Sequence, residues 1–475
     1  MNVLIISTNR NRLPMPVLPA GACIVAEAAD RGGHRVSLLD LMFEREPLRS
    51  VEQAIEKTRP DVIGLSIRNI DNNDMKAPVF YADDLLPIVN TVRKKTQARL
   101  VLGGAAVSVM PEELMRFTGI FCAVTGDGEN VFPELLERLS RGETITDQPG
   151  TSWIENGTVI HNPFLNNRQF CPSISPDFNR RLNMKKYLSH LSTVPVQTKL
   201  GCHFKCIYCT YRKIEGSTYR FFDQESVMES IRNLASSGLR DIEFTDNVFN
   251  YPKDHALGIC ERLARADMRL RLQSLELNPL FIDGALMNLM ELAGFKGIGI
   301  TVESASDYVL SKLRKGYTAA DIHRASEVIR RHKIPCLWIF MVGGPGESHK
   351  TVKETLRFAE KCIRPSDTAF FNVGVRIYPG TELEGIAREE GLLSLSAQEM
   401  LPPVFYLSPE LDSEWMTRKI RETMDSNMNF INSDSIGLSF LPAIHKFGYR
   451  FGLKTPLWRH TRFIRRGLRI MGVDA

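Results

Sequence analysis

Three cysteines stand within eight residues, in the run Gly201-Cys202-His203-Phe204-Lys205-Cys206-Ile207-Tyr208-Cys209. The CxxxCxxC spacing puts three thiolates on one tight loop. Thiolate is the standard protein ligand of iron–sulfur clusters. Three of them can hold three irons of a 4Fe–4S cubane and leave the fourth iron open to a substrate-like ligand. The competing chemistry is zinc, but a structural zinc site takes four protein ligands, and no fourth cysteine lies close by. The chain has nine cysteines, an odd number, which in a reducing compartment favours metal ligation over a disulfide framework. Cys23, Cys122, Cys260, Cys336 and Cys362 fall in apolar settings and read as small buried hydrophobes; Cys171 has no assigned role.

The elements that must carry this loop are legible in the hydrophobic pattern. Over the first ~140 residues, apolar β-branched runs at Val3–Ser7, Arg35–Leu39, Asp61–Ile67, Arg99–Leu102 and Phe121–Thr125 alternate with helical stretches. Such alternation predicts a doubly wound parallel sheet covered on both faces. Residues 146–190 are broken by Pro149-Gly150, Asn156-Gly157, Pro163, Pro172 and Pro176 and predict a linker with one hairpin. A second βα series starts at Pro195–Leu200 and continues through Asp241–Thr245, Arg269–Leu275, Gly297–Val302, Cys336–Val342 and Ala369–Ile377. Six such units in some 190 residues suit a partial (β/α)6 barrel, with the cysteine loop directly after its first strand. The expected division is 1–145, a Rossmann-like domain; 146–190, linker; 191–390, barrel; and 391–475, a small, mainly helical region.

The cysteine segment, with Tyr208 just before the third thiol, resembles the motif of the radical S-adenosylmethionine (SAM) superfamily. The resemblance runs through about 195–385. Asp246-Asn247 resembles the position that meets the SAM amino group. Gly297–Ser304 resembles the glycine-rich fourth strand, which brings in Glu303 and Ser304, and Gly343-Gly344-Pro345-Gly346 resembles the fifth-strand turn. The resemblance implies SAM contacts at Tyr208, Asp246, Asn247, Glu303, Ser304, Gly343 and Gly344. It also implies the chemistry: one electron from the cluster cleaves the sulfonium of SAM to methionine and a 5′-deoxyadenosyl radical, with an external reductant of the flavodoxin or ferredoxin type. The cofactor carries that chemistry and the protein orients it. No residue is assigned as catalytic.

A Rossmann-like unit ahead of such a barrel is similar to the cobalamin-binding class of the superfamily. Open α/β sheets bind ligands at the carboxyl ends of their strands. Candidate cobalamin contacts are therefore Arg68 and Asn69 after the third strand, Gly103 and Gly104 after the fourth, and Gly126, Gly128 and Glu129 after the fifth. The DxHxxG motif that ligates cobalt in many B12 proteins is absent. The alternative for Arg68 is a local pair with Asp71, and for the whole domain a sheet that binds no cofactor.

Net charge is +5, with 43% hydrophobic and 24% charged residues, which gives the molecule as a whole no nucleic-acid character. No run of about 18 apolar residues predicts a membrane span, and the start reads as a strand, so the expected location is the cytoplasm. From Ser435 to Val473 there is no acidic residue, and Lys446, Arg450, Lys454, Arg459, Arg462, Arg465, Arg466 and Arg469 interleave with Phe447, Tyr449, Phe451, Trp458 and Phe463. That tail is either a face packed on the barrel or a peripheral contact with an anionic membrane; no RNA-recognition module is visible. The expected activity is C-methylation of an unactivated carbon in a small-molecule or lipid substrate. The alternatives are a cobalamin-dependent cyclase or oxidoreductase and a non-catalytic iron–sulfur partner.

Overall fold

A computed structural model describes residues 1–163 and 175–472; Cys171 and Pro172 lie outside them. Strands β1 (Asn2–Ser7), β2 (Arg35–Asp40), β3 (Val62–Ser66), β4 (Arg99–Gly103), β5 (Cys122–Val124), β6 (Thr151–Glu155) and β7 (Thr158–His161) form one sheet in the order β2-β1-β3-β4-β5-β6-β7. Strand β1 shows why the sheet is covered twice. Leu4 and Ile6 pack with Val51, Ile55 and Val89, whereas Val3 and Ile5 pack with Ala22, Ala26 and Phe132. Successive side chains point to opposite faces, so an unbroken apolar strand needs helices on either side.

The hairpin expected within 146–190 turns at Asn156-Gly157, both at positive φ. Instead of standing free, it extends the first sheet: β6 pairs antiparallel with β5 through Val124 and Thr151.

The second unit contains β8 (Val194–Val196), β9 (Lys199–Leu200), β10 (Arg220–Phe221), β11 (Asp241–Phe244), β12 (Arg271–Leu277), β13 (Phe295–Glu303), β14 (Cys336–Val342), β15 (Thr368–Val373), β16 (Val375–Arg376), β17 (Phe405–Tyr406) and β18 (Phe430–Asn432). Its main sheet is parallel throughout, in the order β8-β11-β12-β13-β14-β15-β18. The stretch expected as a single strand from Pro195 to Leu200 is divided. The Thr198 amide donates to the Asp246 carboxylate at 2.7 Å, and beyond it β9 turns to pair antiparallel with β10. A seventh barrel strand, β18, arises in the region expected to be mainly helical. It has only three residues and owes its conformation to pairing with β15, Phe370 facing Ile431, which no local pattern announces.

The carboxy-terminal tail folds back under the barrel. A Cβ on Gly297 would lie 2.7 Å from the Trp458 ring and 2.8 Å from Pro456. Thr368 Oγ1 donates to the Trp458 carbonyl at 2.8 Å. Arg465, 3% exposed, donates to the carbonyls of Phe430, Met424 and Asn427. Among the described residues no helix is long and apolar enough to cross a membrane.

Buried polar contacts hold the two units together. Arg376 Nε donates to Asp71 Oδ2 at 2.8 Å with both side chains buried. Asp71 thus pairs across the units rather than with Arg68. Tyr187 donates to Asp40 at 2.8 Å, and Arg181 pairs with Glu27 and Asp30.

Candidate functional site

The cysteine loop is built by a glycine and a carboxylate. Gly201 has φ +89°, and a Cβ there would sit 2.1 Å from the Thr218 carbonyl oxygen; only glycine allows so close a backbone approach. Its amide donates to Glu215 Oε2 at 3.0 Å, and Asn247 Nδ2 donates to the same oxygen at 2.6 Å. Cys202, Cys206 and Cys209 then line a cavity of about 220 Å3, with Tyr208, Tyr211, Asn247, Glu276 and Glu303. Three thiols around a space, not converging on a point, suit a cluster of several ions, and the all-sulfur donor set fits iron–sulfur ligation.

Behind the thiols lies a buried triad. Tyr208 OH donates to Glu303 Oε1 at 2.6 Å, and Lys315 Nζ donates to Glu303 Oε1 at 3.1 Å and to Tyr208 at 3.0 Å. Burial works against the Lys315 ammonium, but Tyr208, Tyr317, Cys206 and Glu303 more than offset it and push its pKa up. Glu303 has φ +63°, a strained conformation for a non-glycine residue of the sort that collects at functional sites. Glu276 lines the same cavity; burial first, then the nearby Glu303, push its carboxyl up to about 8.

The residues expected at SAM divide into two groups. Tyr208, Asn247 and Glu303 line the cavity. Asp246 is fully buried beneath it, its carboxylate taken up by the Thr198 amide, the Thr198 hydroxyl at 2.5 Å and Lys199 Nζ at 2.8 Å; it braces the loop and makes no wall of the cavity. Ser304 bonds to Thr355 and to the Ser306 amide. Gly343 and Gly344 donate to buried Glu347, at 2.6 and 3.3 Å, so their turn is held by a carboxyl of the protein. Lys315, Tyr317, Tyr211, Glu276 and Glu215 escaped the sequence reading. A buried Glu303 demands a cation, and Lys315, twelve residues on, was the residue that argument could have found; Glu215 carries no local signal.

The first sheet presents two further cavities at the carboxyl ends of its strands. One, of about 230 Å3, is a slot edged by Gly103, Gly104, Gly126, Gly128 and Glu129. Gly104, at φ +101°, passes within 2.5 Å (as Cβ) of the Ile67 carbonyl, whereas a Cβ on Gly21 or Gly103 would meet nothing within 4 Å. These two glycines leave a cradle that a side chain would fill, and a flat or chain-like cofactor group fits it. Glu129 is pushed up to about 7 by burial, then by Asp127. The other cavity, about 680 Å3, is bordered by Arg10, Arg12, Arg68, Asn69 and Tyr81. Glu215 also borders the slot, so one residue forms its wall and anchors the cysteine loop. Asp127 pairs with Arg220 in the same region, at 2.9 Å through Nη2.

A thiol-bearing loop at the strand ends of an open parallel barrel, sharing a wall with a glycine-edged Rossmann slot, defines a two-cofactor α/β enzyme. Residues 196–359 match the family model of the radical SAM superfamily, and residues 7–136 that of the B12 binding domain. The chain therefore carries a radical SAM domain and a B12-binding domain together. It is similar to an uncharacterised methyltransferase of Pyrococcus horikoshii, 28% identical over 383 residues and 79% of either chain. The tryptophan 2-C-methyltransferase of Streptomyces laurentii is 22% identical, over 82% of this chain and 76% of its own. The solved structure of the radical SAM methyltransferase TsrM from Kitasatospora setae, with cobalamin and a 4Fe–4S cluster bound, shares the fold: TM-score 0.84, 21% identity, 99% of each chain.

Proposed function

We propose that this enzyme transfers a methyl group to a carbon of a small molecule, using a cluster on Cys202, Cys206 and Cys209, SAM, and cobalamin held by the first sheet. The observation that carries the reading is the shared wall: Glu215 borders the slot and, through Gly201 and Asn247, positions the cysteine loop. When bound, the cluster supplies one electron and the corrinoid carries a methyl group. The chain's own residues do the rest. Tyr208, Asn247, Glu303 and Lys315 are placed to hold and orient SAM beside the thiols. Gly103, Gly104, Gly126, Gly128 and Glu129 are placed to take one part of cobalamin, and Arg68 and Asn69 another. The buried Arg376–Asp71 pair keeps the two halves in register and helps to exclude water between them.

Two partners belong to the same proposal. A soluble one-electron donor must reach the cluster. The tail exposes Phe447, Phe451 and Phe463 at 64, 70 and 74% among Lys446, Arg450, Lys454, Arg462 and Arg466, a surface chemically suited to anionic lipid.

The test is product analysis. Reconstituted protein given SAM and a low-potential reductant should form 5′-deoxyadenosine only when the three cysteines are intact, and S-adenosylhomocysteine only when cobalt is loaded. Fully loaded protein that forms 5′-deoxyadenosine but no S-adenosylhomocysteine would contradict methyl transfer.

A further inference from the structure

Inside the half-barrel, toward the amino-terminal ends of its strands, lies a space of about 310 Å3. Its wall is overwhelmingly apolar, including Leu275, Leu337, Ile339, Phe370 and Ile431 from four strands, and Leu468 of the tail closes it from below. Ligand sites are commonly apolar spaces of this size carrying a few placed polar groups.

Three polar atoms without a protein partner belong to residues lining this space: Gln273 Oε1, His445 Nδ1 and Trp458 Nε1. Gln273 and His445 are each 3% exposed. Buried polar atoms are normally paired, so three orphans around one apolar space point to a ligand that pairs them. The Gln273 amide is not free to turn. Its Nε2 donates to Glu243 Oε2 at 2.6 Å, an oxygen that also accepts from Thr193 Oγ1 at 2.7 Å, so Oε1 is the face left to accept. The indole N–H of Trp458 can only donate. Its ring lies against Gly297, which is in register with Gln273 on the neighbouring strand, so acceptor and donor sit at one level of the barrel. No cation is offered to an acidic ligand: burial pushes His445 down to about 4, leaving it neutral, and Arg465 is directed onto backbone carbonyls.

We infer that this space is the substrate chamber, and that the substrate is an uncharged, mainly apolar molecule with one hydroxyl group that donates to Gln273 and accepts from Trp458. The inference rests on the radical SAM reading and adds the substrate's class. Glu276, past a break in register between Ser274 and Leu277, lines the cysteine-rimmed cavity. It stands three residues beyond Gln273, about 10 Å at the usual strand rise. A molecule anchored at Gln273 would have to span about 10 Å along β12 to reach the cysteine-rimmed cavity.

The experiment is calorimetric titration of the iron- and cobalt-loaded protein with two probes of one skeleton, adamantanol and adamantane carboxylate. Adamantanol should bind saturably, one per chain, and the carboxylate at least about tenfold more weakly. Gln273→Leu, which removes one hydrogen bond, should weaken adamantanol about tenfold. Ile431→Phe, which fills the space, should abolish binding with iron and cobalt contents unchanged. Absence of saturable binding in fully loaded protein, equal binding of the carboxylate, or undiminished binding in Ile431→Phe would each overturn the chamber while leaving the radical SAM reading intact. Normal adamantanol binding by protein that takes up no cobalt would support the chamber and contradict the two-cofactor reading instead.

Discussion

The triad of Tyr208, Glu303 and Lys315 makes a quantitative prediction for Lys315→Met. Both ion-pair side chains are 7% exposed. At 3.1 Å and an effective dielectric constant of about 20, their attraction is about 5 kcal/mol. Desolvation offsets much of that in the intact pair. Removing one member, however, leaves the other charge buried, and such deletions cost about 3–5 kcal/mol. Lys315→Met should therefore lose about 3–5 kcal/mol in urea unfolding followed by tryptophan fluorescence. The double variant Lys315→Met/Glu303→Gln, which removes the stranded charge, should recover at least half of the loss. SAM binding, measured by equilibrium dialysis, should fall in both variants, because Glu303 and Lys315 line the cavity. A loss below about 1 kcal/mol in the single variant, or strictly additive losses in the double, would show that the triad is solvated and the reasoning wrong.

Other outcomes follow from single sites. Glu276 has its pKa raised from 4.5 to about 8; the folded state therefore binds this proton more tightly than the unfolded chain, and the associated stability is present below about pH 4.5 and lost as pH rises through 8. Glu276→Gln should gain stability relative to the wild type between pH 5 and 9 in the same unfolding assay; a constant difference would refute the raised pKa. Gly103→Leu should fill the slot, so that cobalt uptake collapses in metal analysis while iron stays at the wild-type level. Cys206→Ala should lose the cluster absorbance near the visible shoulder of iron–sulfur proteins and still bind cobalt. Replacing Phe447, Phe451 and Phe463 by Ser should reduce cosedimentation with anionic vesicles and leave neutral vesicles unaffected; unchanged partitioning would remove the membrane contact.

The parts of this molecule that follow a short-range rule could be read from the chain. The βα rhythm exposed the parallel strands of both sheets because a strand buried on both faces is apolar throughout, as β1 shows. The cysteine loop was visible because its ligands lie within eight residues. What stayed hidden depends on distance in sequence. Strand β18 forms against β15 some 60 residues away, Lys315 meets a tyrosine 107 residues earlier, and Asp71 finds Arg376 across 305 residues. Asp246 shows how partners distant in sequence direct a side chain. Its position after a strand end suggested a ligand contact, but Thr198 and Lys199 draw its carboxylate into the base of the loop. Residue type and local position identify a candidate; burial and partners decide which way it faces.

The most direct measurement is anaerobic reconstitution of the protein with iron, sulfide and hydroxocobalamin, followed by desalting, a visible spectrum and analysis for both metals. Two resident cofactors predict about four irons beside roughly one cobalt per chain, with cobalt lost in Gly103→Leu and iron lost in Cys206→Ala. Four irons with no retained cobalt would contradict the account, leaving a radical SAM barrel whose first sheet serves some other purpose.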